Sequence, residues 1–342
     1  MHGLRMAGRD AFPDHCHGTD IFEVHKGLVD KCHETASGIE LMAFEYSKLL
    51  LARSGLSSLV TRAAAGEKSH IVDLLIAERG KSIVNHPAWP LLRPLLHEVL
   101  HYREAIAMAD AIAPLKGIEA LNHLSSLLDL RVETLGQQNV PLSGGFVLVA
   151  NHPTGIADGI ALFDAISPRR KDLSIFANRD AVRINRRFSD VLIPVEWRTG
   201  EKSHAKTRET LVGTNRAIAH DRAIIVFPSG RIGYWQNDRL NERPWQPSAI
   251  TLALRHDLPV VPVNITGRNS WLFYWLAGWN TELRDMTVFH ELLNKKRKPF
   301  RITFGTRIDP SSLKGDIRQL TSRLQHHCAE ILARQPNAVF MP

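Results

Sequence analysis

The stretch FVLVANHPTGIADGIALFDA, Phe146 to Ala165, constrains this chain more than any other part of it. An apolar run, Phe146 to Ala150, ends at Asn151-His152. Pro153 and Gly155 follow, then Asp158, then a mostly apolar run of helical length. Such a pattern reads as a strand, a sharp turn and a helix start, with one His and one Asp held in the turn. A neutral imidazole near pH 7 can take a proton from an alcohol. A nearby carboxylate can fix its tautomer and stabilise the imidazolium that forms. No Ser or Cys nucleophile sits in the segment, so in such chemistry the nucleophile would be a hydroxyl that the substrate brings.

The rest of the chain sorts around this segment. Residues 1–20 read as a loose leader and 21–135 as a helical N-terminal region. Within the latter, IELMAFEYSKLLLARSGL and HPAWPLLRPLLHEVLHYREAIAMADAIAP carry apolar residues at helical spacing, and no clear strand is visible. From Gly136 the texture changes. Short apolar runs (Phe146–Ala150, Leu173–Ala177, Val191–Val195, Ala223–Phe227, Pro259–Ile265, Phe300–Ile308) alternate with helical stretches such as Lys202–His220 and Gln246–Arg255. Ser311–Ala333 reads as a closing helix. The expectation is an α/β domain over 136–342, with a largely parallel central sheet flanked by helices and preceded by the helical region. Active groups in such sheets sit at the carboxyl ends of strands. His152, Arg198 and Arg231 all follow strand-like runs and are expected to converge there.

Composition narrows the partners. The 342 residues are 44% hydrophobic with a formal net charge of +8, which favours acidic partners such as anionic lipid, a phosphorylated substrate or an acidic carrier protein. No nucleic-acid-binding motif accompanies the charge. Cys16, Cys32 and Cys328 are too few and too scattered for a disulfide framework and suit a reducing compartment. The N-terminal MHGLRMAGRDAFPDHCHG lacks the apolar core of a secretory signal, and no stretch approaches the roughly 20 apolar residues of a spanning helix. The expected location is cytoplasmic, peripheral on the inner face of the cell membrane.

At Asn151, His152 and Asp158 the chain resembles the glycerolipid acyltransferase family, which includes the 1-acylglycerol-3-phosphate acyltransferases. The family's first block is Asn-His, four residues, then Asp. Here five residues, Pro153 to Ala157, intervene. That spacing is similar to a branch of lysophospholipid acyltransferase-like proteins, some associated with ornithine-lipid synthesis. One residue of helix turns about 100°, so the pair can meet only if Pro153 to Gly155 form a non-helical turn. IIVFPSGRIG (Ile224–Gly233) resembles the third block, Phe-Pro-Glu-Gly-Thr-Arg, whose Glu and Arg help hold the acceptor's phosphate. Ser229 replaces the Glu, and Arg231 directly follows Gly230. Arg198, closing VLIPVEWRTG, resembles the Arg that ends the second block. LPVVPVNITG (Leu258–Gly267) resembles the fourth, and a Pro inside that strand points to an edge or a bulge.

The resemblance implies an O-acyltransferase. His152 acts as general base and Asp158 orients it. Asn151, Gly155, Arg198, Ser229, Gly230 and Arg231 line the substrates. The donor is acyl-CoA or an acyl carrier protein, the acceptor an anionic lyso-lipid such as lysophosphatidic acid, and no cofactor or metal takes part. Backbone N–H groups near Gly155 or Gly230 are candidates for the oxyanion site. WLFYWLAGW (Trp271–Trp279) and KKRKPFR (Lys295–Arg301) read as a surface for the membrane or, less favourably, as a buried aromatic cluster and a solvated loop. Two alternatives stand beside this reading. One is a non-catalytic lipid-binding member of the same fold, given Ser229. The other is a zinc hydrolase built on HEVLH, His97-Glu98 to His101, which matches His-Glu-x-x-His. Against zinc, a helical wheel sets both His on a polar face beside Arg93 and Glu104, opposite the apolar stripe Leu92, Leu95, Val99, Tyr102 and Ile106.

Overall fold

The structure, a computed structural model, describes residues 69–342 apart from Trp197, Arg198 and Lys202. The expected leader, IELMAFEYSKLLLARSGL, Cys16 and Cys32 lie outside the described residues. Lys68–Pro342 group as one unit. It opens with helices α1 (Ile71–Arg79), α2 (Lys81–Val84), α3 (Trp89–Val99), α4 (Tyr102–Ile112) and α5 (Gly117–Leu128). Strands and helices then alternate: β1 (Arg131–Leu135), β2 (Phe146–Ala150), α6 (Ile156–Ile166), β3 (Leu173–Asn178), α7 (Asp180–Ile184), β4 (Leu192–Val195), α8 (His204–Ala219) and β5 (Ala223–Val226). A hairpin, β6 (Tyr234–Gln236) and β7 (Arg239–Asn241), precedes α9 (Ser248–His256) and β8 (Val260–Thr266). The chain closes with α10 (Trp271–Trp279), α11 (Thr281–Met286), α12 (Val288–Leu293), β9 (Pro299–Phe304) and α13 (Ile317–His326), which continues through a π turn at His327–Ile331.

The sheet has seven strands in the order β1-β9-β8-β2-β5-β3-β4. From β8 to β4 every neighbouring pair is parallel; β9 runs antiparallel to β8 and parallel to β1. The fold is α/β with a largely parallel sheet, helices on both faces and helices ahead of it. β2 is central, and each of its five side chains is buried, as an unbroken apolar run requires when both faces are covered. Alternation splits it. Phe146, Leu148 and Ala150 join one core with α4, α5 and α6. Val147 and Val149 join the other with α9 and α13. Burying each larger side chain contributes about 1.5–3 kcal/mol.

Three features differ from expectation. Arg131–Leu135, read as part of the helical region, is an edge strand of the sheet. It pairs on one side only, so polar and apolar residues alternate along it, and Glu133 bonds Arg301 of β9 at 2.9 Å. Pro262 sits in an interior strand rather than at an edge. Its missing N–H is tolerated because the β8–β9 ladder runs only from Val263 to Thr266. The β6–β7 hairpin turns on Asn237-Asp238, both at positive φ, as a two-residue type I′ turn demands.

Among the described residues, burial holds three imidazoles below their usual range: His97, lowered to about 4 by burial and then by Arg93, and His290 and His327, both lowered chiefly by burial. Unfolding restores a pKa near 6.5. As pH falls through 6.5 the unfolded chain binds protons first, so the stability present above pH 6.5 is lost progressively toward pH 4. The urea midpoint is expected to drop between pH 7.5 and 5, and His97→Gln to flatten that slope. A midpoint constant across this range contradicts the burial of these rings.

Candidate active site

β2, β5 and β8 are adjacent and parallel, so the segments after them meet at one end of the sheet. The β2 turn supplies the His–Asp pair. Gly155 adopts φ 93° and ψ −128°, open to glycine and barred to other residues. A side chain there would also meet Ile232 Cδ1 at 2.7 Å. The helix begins only at Ile156, so Pro153 to Gly155 form the non-helical turn that the five-residue spacing needs. Asp158 then stands in the first turn of α6, fully buried, and caps it. Its Oδ2 accepts the N–H groups of Thr154 and Gly155 at 2.9 Å, and its Oδ1 accepts the Thr154 hydroxyl at 2.5 Å.

His152 Nδ1 lies 2.9 Å from Asp158 Oδ2. The approach is out of line for a full hydrogen bond, and Nδ1 is buried without another partner. Such pairs in resting active sites are commonly poorly aligned and tighten when substrate binds. With Nδ1–H toward the carboxylate, Nε2 is the basic nitrogen. Phe227 of the β5 loop stacks on the ring at 4.3 Å between centroids, which fixes the ring plane. The main chain of His152 is held from the other side. Gly233 N–H donates to its carbonyl at 2.9 Å, and its own N–H donates to Glu242.

The remaining expected residues divide. Asn151 is buried, and both heteroatoms of its amide bond the main chain of Ile265 in β8, at 2.9 and 2.6 Å. It ties two strands together. Ser229 is buried and bonds the Arg231 carbonyl at 2.8 Å, shaping the loop. Gly230 takes positive φ, and Arg231 is exposed on the same loop. The amides of Gly155 and Gly230 do not form an oxyanion site: the first donates to Asp158, the second to the Phe227 carbonyl. Arg198 lies outside the described residues. Of the basic residues upstream of it, Arg183 pairs with Glu78 at 2.6 Å and Arg187 donates to the Pro114 carbonyl.

Glu242 and the hairpin that carries it escaped sequence reasoning. The Asn-Asp turn between YWQ and RLN was the available signal. Burial pushes the Glu242 carboxyl up, against the pull of the His152 N–H and of Trp245 Nε1, which donates at 2.8 Å.

The HEVLH segment is not a metal helix. α3 ends at Val99, and His101 takes a left-handed conformation, φ 53°. His97 stacks on Tyr102, while His101 meets His290 at 2.8 Å, so the two face different partners. Leu95 and Val99 of the expected apolar stripe are exposed. Among the described residues no three His, Cys, Asp or Glu side chains gather as ligands.

α10 is amphipathic in its aromatic residues. Phe273 and Leu276 are buried, whereas Trp271, Trp275 and Trp279 are 74%, 44% and 69% exposed, too open for a buried cluster. At spacing four they stack into a ladder with centroids 5.7 and 5.5 Å apart. Trp235 of the hairpin, also exposed, meets Tyr274 of α10 at 5.8 Å. In the basic run, Lys295 is buried against Glu291 at 2.9 Å, while Lys296 and Lys298 are exposed.

Residues 131–266 match the acyltransferase family model. The chain is 26% identical over 216 residues to the lyso-glycine lipid O-acyltransferase of Bacteroides thetaiotaomicron, covering 61% of this chain and 78% of that protein. It is 28% identical over 195 residues to the protein of the same name from Phocaeicola vulgatus, covering 55% and 68%. Among solved structures it is similar to the 1-acyl-sn-glycerophosphate acyltransferase of Thermotoga maritima, at 15% identity and a TM-score of 0.41, over 78% of this chain and 98% of that one.

Proposed function

We propose, from the premise that residues 131–266 form an acyltransferase-family domain, that this enzyme moves a fatty acyl group from acyl-CoA or an acyl carrier protein to the hydroxyl of an anionic lyso-lipid. The observation that carries the reading is His152 Nδ1 set 2.9 Å from a carboxylate that is fully buried and capped. Nε2 takes the acceptor's hydroxyl proton as its oxygen attacks the thioester carbonyl. The tetrahedral intermediate collapses, the C–S bond breaks, and the imidazolium returns its proton to the departing thiolate. No acyl-enzyme forms. Arg231, with Arg198, holds the anionic head group; Arg is suited to carboxylate and phosphate alike. The names of the two relatives make an amino-acid lyso-lipid the first acceptor to try and lysophosphatidic acid the second. The test offers both donors and a panel of lyso-lipids to purified enzyme and weighs the product. An ester of one acceptor supports the reading; no ester with any pair removes it.

We further place the enzyme peripherally on the cytosolic membrane face, through the exposed Trp ladder of α10. Indole rings favour the bilayer interface, where an apolar body and a polar N–H both find partners. No helix of the described residues is long and apolar enough to cross a membrane. Replacing Trp271, Trp275 and Trp279 together by Ser is expected to cut sedimentation with phosphatidylglycerol vesicles at least tenfold while the melting temperature holds, because the buried face of α10 is untouched. Undiminished vesicle binding removes the ladder from the membrane contact.

A further inference from the structure

We propose that Glu242 is a positioning residue for the acyl transfer, holding the His152 main chain so that the ring stays in register with Asp158. The inference rests on His152 being the general base. Glu242 follows β7, and Gly233 precedes β6, so the two ends of one hairpin grip one residue. Gly233 N–H donates to the His152 carbonyl at 2.9 Å, and the His152 N–H donates to Glu242 Oε1. Glu242 cannot swing away, because its Oε2 accepts Trp245 Nε1–H at 2.8 Å. Trp245 is itself buried, and its main-chain N–H donates to Gln325 of α13 at 3.1 Å. The clamp is therefore anchored to the far side of the sheet, independently of the β2 turn and its Asp158 cap.

Two carboxylates reach His152 and take different parts of it. Asp158 from α6 faces Nδ1 at 2.9 Å, Glu242 from the hairpin takes the main-chain N–H, and the Phe227 ring lies against the imidazole face. Ser229 stands where the resembling block carries a Glu, and its hydroxyl is engaged within its own loop. Glu242 brings a carboxylate to His152 from a position thirteen residues later.

The test uses the full chain with Glu242→Ala and Glu242→Gln. Ala removes the acceptor of the His152 N–H, whereas Gln keeps an oxygen there. kcat is expected to fall about tenfold or more in the Ala variant while the KM of the acceptor stays put, and Gln should restore most of it. Wild-type kcat in Glu242→Ala, or a loss that falls on KM instead, overturns the proposal. That outcome is distinct from failure of the base assignment, which shows instead as full activity in His152→Ala.

Discussion

Acyl transfer by His152→Ala is expected to fall at least about 100-fold, within the 10²- to 10⁴-fold range that a positioned general base supplies. In barrier terms that is about 2.7–5.5 kcal/mol. The loss should appear in kcat, with the KM of donor and acceptor near wild type, because the ring acts on the proton in flight rather than on either bound substrate. It should be equal for acyl-CoA and acyl carrier protein donors, since the base serves the acceptor hydroxyl. Thiol release without acceptor should stay at background in both proteins, as no covalent acyl-enzyme is formed. The fold should survive. His152 is partly exposed at its ring, and the donors that hold Asp158 come from Thr154 and Gly155. A fully active His152→Ala protein sinks the mechanism, whatever the acceptor.

The parts of this fold that were legible in the sequence are those whose local pattern matched their tertiary environment. Phe146–Ala150 is unbroken and apolar because it is buried on both faces, and mostly apolar runs marked β3, β4, β5 and β8; β9 showed through Phe300, Ile302 and Phe304 although Arg301 among them is exposed. β1 stayed hidden because an edge strand with Arg131 and Glu133 on its solvent side shows no apolar run. The helical pattern of HEVLH is real only as far as Val99, where the chain turns left-handed at His101, and no capping residue marks that stop. At the site, the turn that brings His152 to Asp158 was readable because Pro153 and Gly155 lie between them. The tie from Asn151 to Ile265 was not, because 114 residues separate the two. Glu242 was invisible for the same reason: its bond to His152 spans 90 residues, and only the folded sheet brings the hairpin there.

Asp158→Asn is expected to separate the two tasks of that carboxylate. The carboxylate accepts two main-chain N–H groups and one hydroxyl, and it faces Nδ1 of His152. Asn can place its oxygen toward the two N–H donors and its NH₂ toward Thr154 Oγ1, which can accept. The turn then survives, weakened by the loss of charge-assisted bonds worth about 1.5–3 kcal/mol each with a charged partner against about 0.5–1.5 without one. The imidazolium, however, loses its counter-charge, so turnover should drop at least about 100-fold while the protein still folds. Asp158→Ala removes every acceptor and leaves the N–H groups of Thr154 and Gly155 buried and unpaired, at about 1–3 kcal/mol apiece. It should lose both activity and stability. Thioester turnover and urea midpoints on the two variants read the tasks separately. Wild-type turnover in Asp158→Asn would reduce the residue to a helix cap and leave His152 to act without a carboxylate partner on α6.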